Sequence, residues 1–432
     1  MTSYNFPIQV LKALSLLEDN NYEAVVVGGA VRDLFLNKEP HDYDIATNAT
    51  VEQMYEIFKE YKVIDTGLKH GTLTIHLDHF PLEITAYRGV TNTLKEDLFL
   101  RDFTFNSMAM NKRYELFDFY NGKDDLEKKI VRCNNDETFK NDPLRILRAI
   151  RQAGKYNFTI EERTKELMNS NVELLNKVSK ERISSELSQI LMCDNAHNLI
   201  KENSNIITKI IPELKETIGF NQNNPHHIYD VFDHTLKVLE NTPKVLELRL
   251  AALLHDIGKV KCYEEDENNI GHFLGHHEIS KTLAFDILKR LKYDNNTIEI
   301  VCKLIEFHDY KLTNTKKSIR KFLNKFDDER IDLLLELKKA DILGQNPEYN
   351  DRLEEIKDIK ILLEEILDEG SCFSLKHLKI NGNDLISLNI KSGKLIGEIL
   401  NDCLNNVIEG TLTNDKNELI EYVKSTYLNR KE

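Results

Sequence analysis

The sequence predicts an α+β chain: a mixed head of short strands and helices, followed by a long, almost wholly helical body. Over the first ~125 residues, β-prone apolar runs alternate with helical stretches across turn residues. From about residue 135 onward, Leu and Ile recur at 3.6-residue spacing, with Pro and Gly sparse. With 432 residues, 41% hydrophobic and 30% charged, the chain is long enough for roughly three domains and a sizeable core.

The elements follow in order. Ile8, Leu11, Leu14 and Leu17 lie on one face of a helix over Pro7–Asp19. Tyr22–Val27 reads as a buried strand, and Gly28-Gly29 turns the chain sharply into a helix over Ala30–Leu36. Strands are expected at Tyr43–Ala46, Lys62–Asp65, Leu73–Leu77 and Leu82–Ala86, broken at His70-Gly71 and Phe80-Pro81. In the body, Asn221–His227 (NQNNPHH) is a loop and a domain boundary, and Glu264–Gly275 is a second loop. The expected division is a head (1–125), a helical neck (126–220), a histidine-rich body (221–350) and a helical tail (351–432).

Composition narrows the function classes. No apolar run approaches the ~20 residues of a membrane span. The N-terminus lacks a basic region and reaches Glu18 and Asp19 too early for a signal peptide. The six cysteines form no CxxC pair, which suits reduced thiols in a cytoplasm. A net charge of −14 disfavours nonspecific nucleic-acid binding, yet Lys128–Arg182 carries 13 Lys/Arg against 8 Asp/Glu, a local basic patch.

Three features carry chemistry in the head. In VVVGGAVRD, Gly28 and Gly29 let the backbone approach a polyphosphate at a helix N-terminus, with Arg32 and Asp33 one turn on. In PHDYDIAT, Asp42 and Asp44 are two apart, so on a strand both carboxylates face one hard cation such as magnesium. Glu83 in LEITAYR is an isolated acid on a later strand that can complete the metal site.

This combination resembles the DNA polymerase beta-like nucleotidyltransferase head. TGLKHGTLTI (Thr66–Ile75), EDLFLRDFTFNSMAM (Glu96–Met110), NDPLRILRAIR (Asn141–Arg151) and LKINGNDLISLNIKSGKLIGEIL (Leu378–Leu400) resemble the bacterial, class II tRNA nucleotidyltransferases, a family that includes bacterial poly(A) polymerases. The resemblance implies two Mg2+ ions on Asp42, Asp44 and Glu83, activating an RNA 3′-hydroxyl and neutralising the triphosphate for in-line attack on the α-phosphate. It places Gly29 and Arg32 on the triphosphate, Arg101 on phosphate, and Asp102 as acceptor from a ribose 2′-hydroxyl. Asp142, Arg145, Arg148 and Arg151 recur every three residues on one expected helix face. An Asp-Arg pair accepts from the exocyclic amine of cytosine or adenine and donates to the neighbouring ring acceptor, which uracil and guanine do not match. The implied partners are CTP, ATP and a tRNA lacking its 3′ CCA or CC, with Arg148 and Arg151 as further nucleotide contacts and no membrane.

Three departures from the family pattern stand out. Leu100 replaces the first Arg of RRDF, and Asn141 replaces the Glu of EDxxR. Between Arg88 and Arg101 only the twelve residues GVTNTLKEDLFL remain, where members adding the whole CCA carry a longer flexible loop that acts as a lever. The short segment favours CC addition, with full CCA addition the alternative. Poly(A) synthesis is disfavoured because Ser371–Glu432 holds 8 basic and 8 acidic residues rather than a basic tail.

In the body, His234 (DHTL), His255-Asp256 (ALLHDIGK) and Asp341 (KKADILGQN) match the H…HD…D pattern of the HD phosphohydrolase superfamily, with His276 and His308 as further candidate ligands. Imidazoles with carboxylates suit Mn2+, Ni2+, Fe2+ or Mg2+ for phosphoester hydrolysis. A vestigial, tRNA-holding domain is the bland alternative. A chain acting mainly as an HD hydrolase is the rival from another class, and a non-enzymatic RNA binder is disfavoured because both constellations are intact.

Overall fold

The structure, a computed structural model, describes residues 5–67, 71–326, 330–369, 371–391 and 393–428. The chain divides into two compact units, Met1–Ile210 and Ile211–Glu432.

The first unit opens with α1 (Ile8–Asp19), whose buried Val10, Ala13, Leu14 and Leu17 follow the helical spacing. β1 (Ala24–Val27) is buried along its whole length, which is why its sequence is an uninterrupted apolar run. It leads through Gly28 into α2 (Gly29–Phe35), and β2 (Asp44–Thr47) and α3 (Val51–Ile57) follow. A capping box fixes the start of α3: the Thr50 side chain accepts from the Gln53 N–H while the Gln53 side chain accepts from that of Thr50. β3 (Lys62–Gly67), β4 (Thr72–Leu77), β5 (Phe80–Ala86), α4 (Leu94–Phe99), β6 (Ala109–Met110) and β7 (Leu116–Phe117) complete the head. The sheet order is β3-β4-β5-β2-β1-β6-β7. β2 and β5 run parallel, in a register that sets Asp44 beside Glu83.

Two expectations for the head are corrected. The turn expected at Phe80-Pro81 lies on Asp78-His79, both at positive φ (49° and 67°), and Phe80-Pro81 begins β5. A two-residue hairpin needs left-handed backbone at both central positions, which proline's fixed φ forbids. Asp42 precedes β2 rather than sharing the strand with Asp44. Of the expected His70-Gly71 turn, His70 lies outside the described residues, while Gly71 has φ +71°.

The same unit continues through α5 (Gly122–Glu127), β8 (Ile130–Val131), α6 (Thr138–Asn141), α7 (Arg145–Tyr156), β9 (Thr159–Ile160), α8 (Glu162–Ser170), α9 (Lys180–Leu191), α10 (Ala196–Glu202) and α11 (Ser204–Ile210). β8 and β9 pair in parallel, two residues each. α7 buries Ile146, Leu147, Ala149 and Ile150, and with them the polar Gln152. Asp142, expected on this helix, stands before it in extended backbone (φ −145°, ψ 100°). Pro143 disfavours the helical region for the residue preceding it.

The second unit is helical around α12 (Val231–Glu240) and α13 (Leu246–Leu254). The expected loop at Glu264–Gly275 contains a small hairpin of β10 (Glu264–Glu265) and β11 (Gly271–His272). α14 (His276–Arg290), α15 (Asn295–Phe307), α16 (Lys316–Lys325), α17 (Ile331–Leu343), α18 (Arg352–Asp368), α19 (Gly382–Ser387), α20 (Lys394–Glu409) and α21 (Lys416–Val423) follow. Leu385, Ile399, Cys403 and Leu419 form the core of the last three. Among the described residues no helix is long and apolar enough to cross a membrane.

Candidate functional site

A polar cavity of about 400 Å3 opens in the first unit. One wall is the β1–α2 turn with Asp44 of β2, another the α4 region with Asn106, and a third Asp142 with the polar face of α7. Five guanidinium groups (Arg32, Arg88, Arg101, Arg145, Arg148) and three carboxylates (Asp44, Asp102, Asp142) line it, a balance that favours a polyanion.

The turn depends on Gly28, whose φ is +69° and where a Cβ would stand 3.3 Å from Nη1 of Arg101. Arg32 is buried and fixed from three sides. Its Nε donates to Asp33 (2.9 Å), its Nη1 donates to Oδ1 of Asn106 (2.6 Å), and its guanidinium lies 4.7 Å from the centroid of the Tyr156 ring. Arg101 donates from Nε to Oδ2 of Asp97 (3.0 Å), with its Nη2 2.9 Å from the same oxygen.

Asp44 on β2 stands beside Glu83 on β5, with Asp42 two residues ahead of Asp44. Burial pushes the Asp44 carboxyl up; Arg101 opposes the shift and Asp42 reinforces it. Glu83 is likewise raised, by burial first and then by the charges of Asp44 and Asp42. Three mutually repelling carboxylates of hard oxygen donors fit a divalent cation of the magnesium kind.

Asp102 is buried, and both its oxygens are engaged. Oδ2 accepts from Nε and Nη2 of Arg148 (3.0 and 2.7 Å), and Oδ1 accepts from Nδ2 of Asn106 (3.0 Å) and the N–H of Phe103 (2.9 Å). Burial alone would raise its pKa, but Arg148, Asn106 and Arg145 together hold it below the usual carboxylate range. Arg145 donates to the backbone carbonyls of Leu100 (2.9 Å) and Thr138 (3.4 Å), so residue 100 serves through its main chain. Asp142 accepts from Arg182 (3.0 Å) and from the N–H of Leu144 (3.2 Å). Arg151 does not line the cavity; it is ion-paired to Glu186 at 2.6 Å. The sequence reading passed over Asp97, Asn106, Arg88 and Gln152. Asp97 alone left a signal, an acid four residues before Arg101 on a helical stretch.

The tight gatherings of ligand atoms, within 4.8 Å of one another, lie in the second unit among the described residues. His234 of α12, His255 and Asp256 just after α13, and Asp341 of α17 come together, with His276 and His308 beside them. Nε2 of His234 is 3.2 Å from Asp256 and 3.1 Å from Asp341. Nε2 of His276 is 3.3 Å from Asp256. Each ring is oriented from behind: Nδ1 of His234, His255, His276 and His308 contacts the carbonyl of Gly344, Ala252, Phe273 and Ile305 respectively, at 3.0, 2.8, 2.9 and 2.6 Å. A carbonyl only accepts, so each Nδ1 donates and each Nε2 is left pointing inward. The Nε2 atoms stand in pairs, His234 to His255 at 3.4 Å and His276 to His308 at 3.2 Å. Burial opposes the charged form, but Asp256 and Asp341 push the pKa of His234 up and that of His255 up to about 10, so these two rings carry protons that a divalent transition metal would replace. Lys259, 2.7 Å from Asp256, brings a further positive charge.

Comparison with known proteins gives this geometry a lineage. The family described as the Poly A polymerase head domain matches residues 24–132, the "Probable RNA and SrmB- binding site of polymerase A" matches 157–218, and the putative tRNA nucleotidyltransferase domain 2 matches 263–423. The chain is 30% identical to a CCA-adding enzyme of Ligilactobacillus salivarius, the match covering 97% of each, and 28% identical to one of Pediococcus pentosaceus over 95% of this chain and 96% of that one. The fold is that of the Bacillus stearothermophilus CCA-adding enzyme crystallised with CTP (TM-score 0.69, 23% identity, 98% of each chain). It is also that of the Thermotoga maritima CCA-adding enzyme complexed with tRNA (TM-score 0.61, 24% identity, 96% of this chain and 94% of that one). The chain is an enzyme of the bacterial tRNA nucleotidyltransferase and poly(A) polymerase family, whose chemistry depends on divalent metal ions.

Proposed function

We propose that the chain completes tRNA 3′ ends in the cytoplasm, transferring CMP and AMP from CTP and ATP to the tRNA 3′-hydroxyl with release of pyrophosphate. The observation that carries this is the single cavity joining Gly28, Gly29 and Arg32 to Asp142 and Arg145, with Asp44 on its wall. In this reading Gly28, Gly29, Arg32 and Arg101 hold the triphosphate, and Asp142 with Arg145 reads the base edge shared by cytosine and adenine. Asp42, Asp44 and Glu83 hold two Mg2+ ions, which supply charge neutralisation on the triphosphate and polarisation of the attacking hydroxyl. The basic neck (126–220) grips tRNA by phosphate and shape, together with the body (221–350) and tail (351–432).

Full CCA addition is better supported than the CC-only reading drawn from the short segment after Arg88. Relatives matched over nearly the whole chain bear the name CCA-adding enzyme. The segment itself is a five-residue turn followed by α4. The test is a tRNA transcript lacking CCA, incubated with magnesium and CTP, ATP or both, and sized at single-nucleotide resolution. Growth by three nucleotides is expected with both. Growth by two, unchanged by ATP, restores the CC-only reading, and long ATP-only extension makes the chain a poly(A) polymerase.

The inward-facing imidazoles support a second activity in the body. His234, His255, Asp256 and Asp341, with His276 and His308, hold Mn2+, Ni2+, Fe2+ or Mg2+, which supplies Lewis-acid chemistry for phosphoester hydrolysis. The purified protein is expected to carry a divalent metal that His255→Ala with Asp256→Ala removes, together with any phosphatase activity, while CMP transfer persists. A metal content equal in wild type and variant overturns the assignment.

A further inference from the structure

We propose that Lys38 and Lys155, gathered with Arg32 around the ring of Tyr156, form a second phosphate site that receives the leaving pyrophosphate. The inference rests on the reading of the head cavity above and deepens it, because that reading supplies the pyrophosphate.

Three cations share one ring. The Arg32 guanidinium lies 4.7 Å from the Tyr156 centroid, and the ammonium groups of Lys38 and Lys155 lie 5.1 and 5.3 Å from it. Different parts of the chain bring them there. Lys38 follows α2, where its N–H donates to the carbonyl of Asp33 (2.8 Å). Lys155 directly precedes Tyr156 on α7, so its side chain starts about 100° away around the helix and turns back to reach the ring. The carboxylate beside them, Asp33, is engaged by Arg32 (2.9 Å) and by the hydroxyl of Tyr156 (3.3 Å). Neither lysine has an ion-pair partner among the described residues. Burial first, and then the charge of Arg32, push the Lys155 ammonium down; Asp33 opposes the shift, while Arg151 and Lys38 reinforce it. An anion set between the lysines relieves this repulsion.

Position identifies the anion. Arg32 lines the head cavity at the end assigned to the triphosphate. Lys38 and Lys155 are exposed and stand outside that lining, so they carry positive charge from Arg32 out to solvent. In an in-line displacement the hydroxyl attacks one side of the α-phosphate and pyrophosphate departs from the other. Cations beyond Arg32 therefore lie on the leaving side, away from the RNA 3′ end. Pyrophosphate, with several negative charges, also gains more from grouped cations than a single RNA phosphate does.

The test measures the inhibition constant of added pyrophosphate on CMP incorporation into a tRNA transcript lacking CCA. Wild type is compared with the double variant Lys38→Met, Lys155→Met, which keeps the apolar stems and removes both charges. The KM for the tRNA and the melting temperature are read alongside. The double variant is expected to bind pyrophosphate about tenfold more weakly, a loss of about 1.4 kcal/mol. That difference should narrow as salt rises, with the KM for the tRNA unchanged and the melting temperature no lower. Lys38→Arg with Lys155→Arg should keep the wild-type constant. An unchanged inhibition constant overturns the inference alone; a KM for the tRNA that rises in its place assigns the patch to the RNA backbone. Weaker pyrophosphate binding that comes only with a lower melting temperature marks a structural cluster and overturns it too. A wild type that adds no CMP overturns the reading of the head and this inference with it.

Discussion

Asp97→Asn tests how the cavity is held together. Asp97 is fully buried, and its Oδ2 takes two guanidinium nitrogens of Arg101 at 3.0 and 2.9 Å. Its Oδ1 accepts the backbone N–H of Arg88 (3.1 Å) and lies 3.9 Å from that residue's Nε. The amide is nearly isosteric, but it removes the charge shared by both arginines and turns an N–H2 toward one set of donors. A unit charge pair 4 Å apart is worth ~4 kcal/mol at an effective dielectric of 20, and breaking a buried pair costs about 3–5 kcal/mol. Taking about 3 kcal/mol, and 2–4 °C per kcal/mol for a unit of this size, the melting point of the 1–210 unit should fall by roughly 6–12 °C. Calorimetry reads this directly, because the relevant transition is the one that CTP raises. The rate constant kcat/KM for CMP incorporation should fall about a hundredfold as Arg101 and Arg88 leave their places on the cavity wall. The control is Asp136→Asn, which breaks an exposed pair with Arg163 (2.9 Å, side chains 66% and 56% exposed) and should shift melting by less than ~2 °C. An Asp97→Asn protein that melts and incorporates CMP like wild type would refute the argument.

The other predictions follow from the same geometry. Asp42→Ala or Asp44→Ala should abolish CMP transfer while tRNA binding, read by gel shift, persists; incorporation by both variants removes the carboxylate assignment. The Asp102 carboxyl is held below its unfolded pKa, so its stabilisation is fully present above the unfolded value of ~3.9 and is lost as pH falls through the folded one. Asp102→Asn should therefore melt well below wild type at pH 7, and acid titration should narrow the gap below about pH 4. A gap constant down to pH 3 contradicts the pairing with Arg148.

The sequence made legible whatever depends on local pattern. The apolar run of β1, the helical spacing of α1 and the Gly28-Gly29 turn are statements about neighbours in the chain, and the structure has all three. The histidine and aspartate set could be picked out because its order matches the H…HD…D pattern, although any one of those histidines taken alone reads as a core residue. What escaped depends on tertiary burial or on rules that compete. Gln152 looks like any helical glutamine until Arg148 and Tyr156 flank it in a cavity wall. Asp142 fits the three-residue spacing of the arginines, but the conformational effect of Pro143 overrides that spacing. The β10–β11 hairpin is two residues a side, too short for an alternation to register.

In the proposed function one template serves two bases of different size, and the position of Asp142 off the helix bears on how it would do so. Arg145 is tied to two main-chain carbonyls, those of Leu100 and Thr138, and is the fixed half of the pair. Asp142 is tied to Arg182 through an ion pair whose side chains are 32% and 53% exposed, a contact worth about 0–1 kcal/mol. Its Oδ1 also accepts the N–H of Leu144 (3.2 Å), and the backbone ahead of Pro143 is held extended, so what can shift with α7 in place is the side chain alone. In the segment from 89 to 100, α4 is fixed where Thr93 caps it and where Asp97 anchors Arg101. The change from cytosine to adenine is then expected to travel through Asp142 and Arg182. Arg182→Ala should leave the melting temperature within ~2 °C of wild type and the two CMP additions nearly intact. At the third position it should alter the ratio of AMP to CMP incorporated severalfold, read by supplying CTP and ATP at equal concentration to a tRNA ending in CC. An unchanged ratio would place the adjustment elsewhere, because no stability cost would mask the loss of so weak a tie.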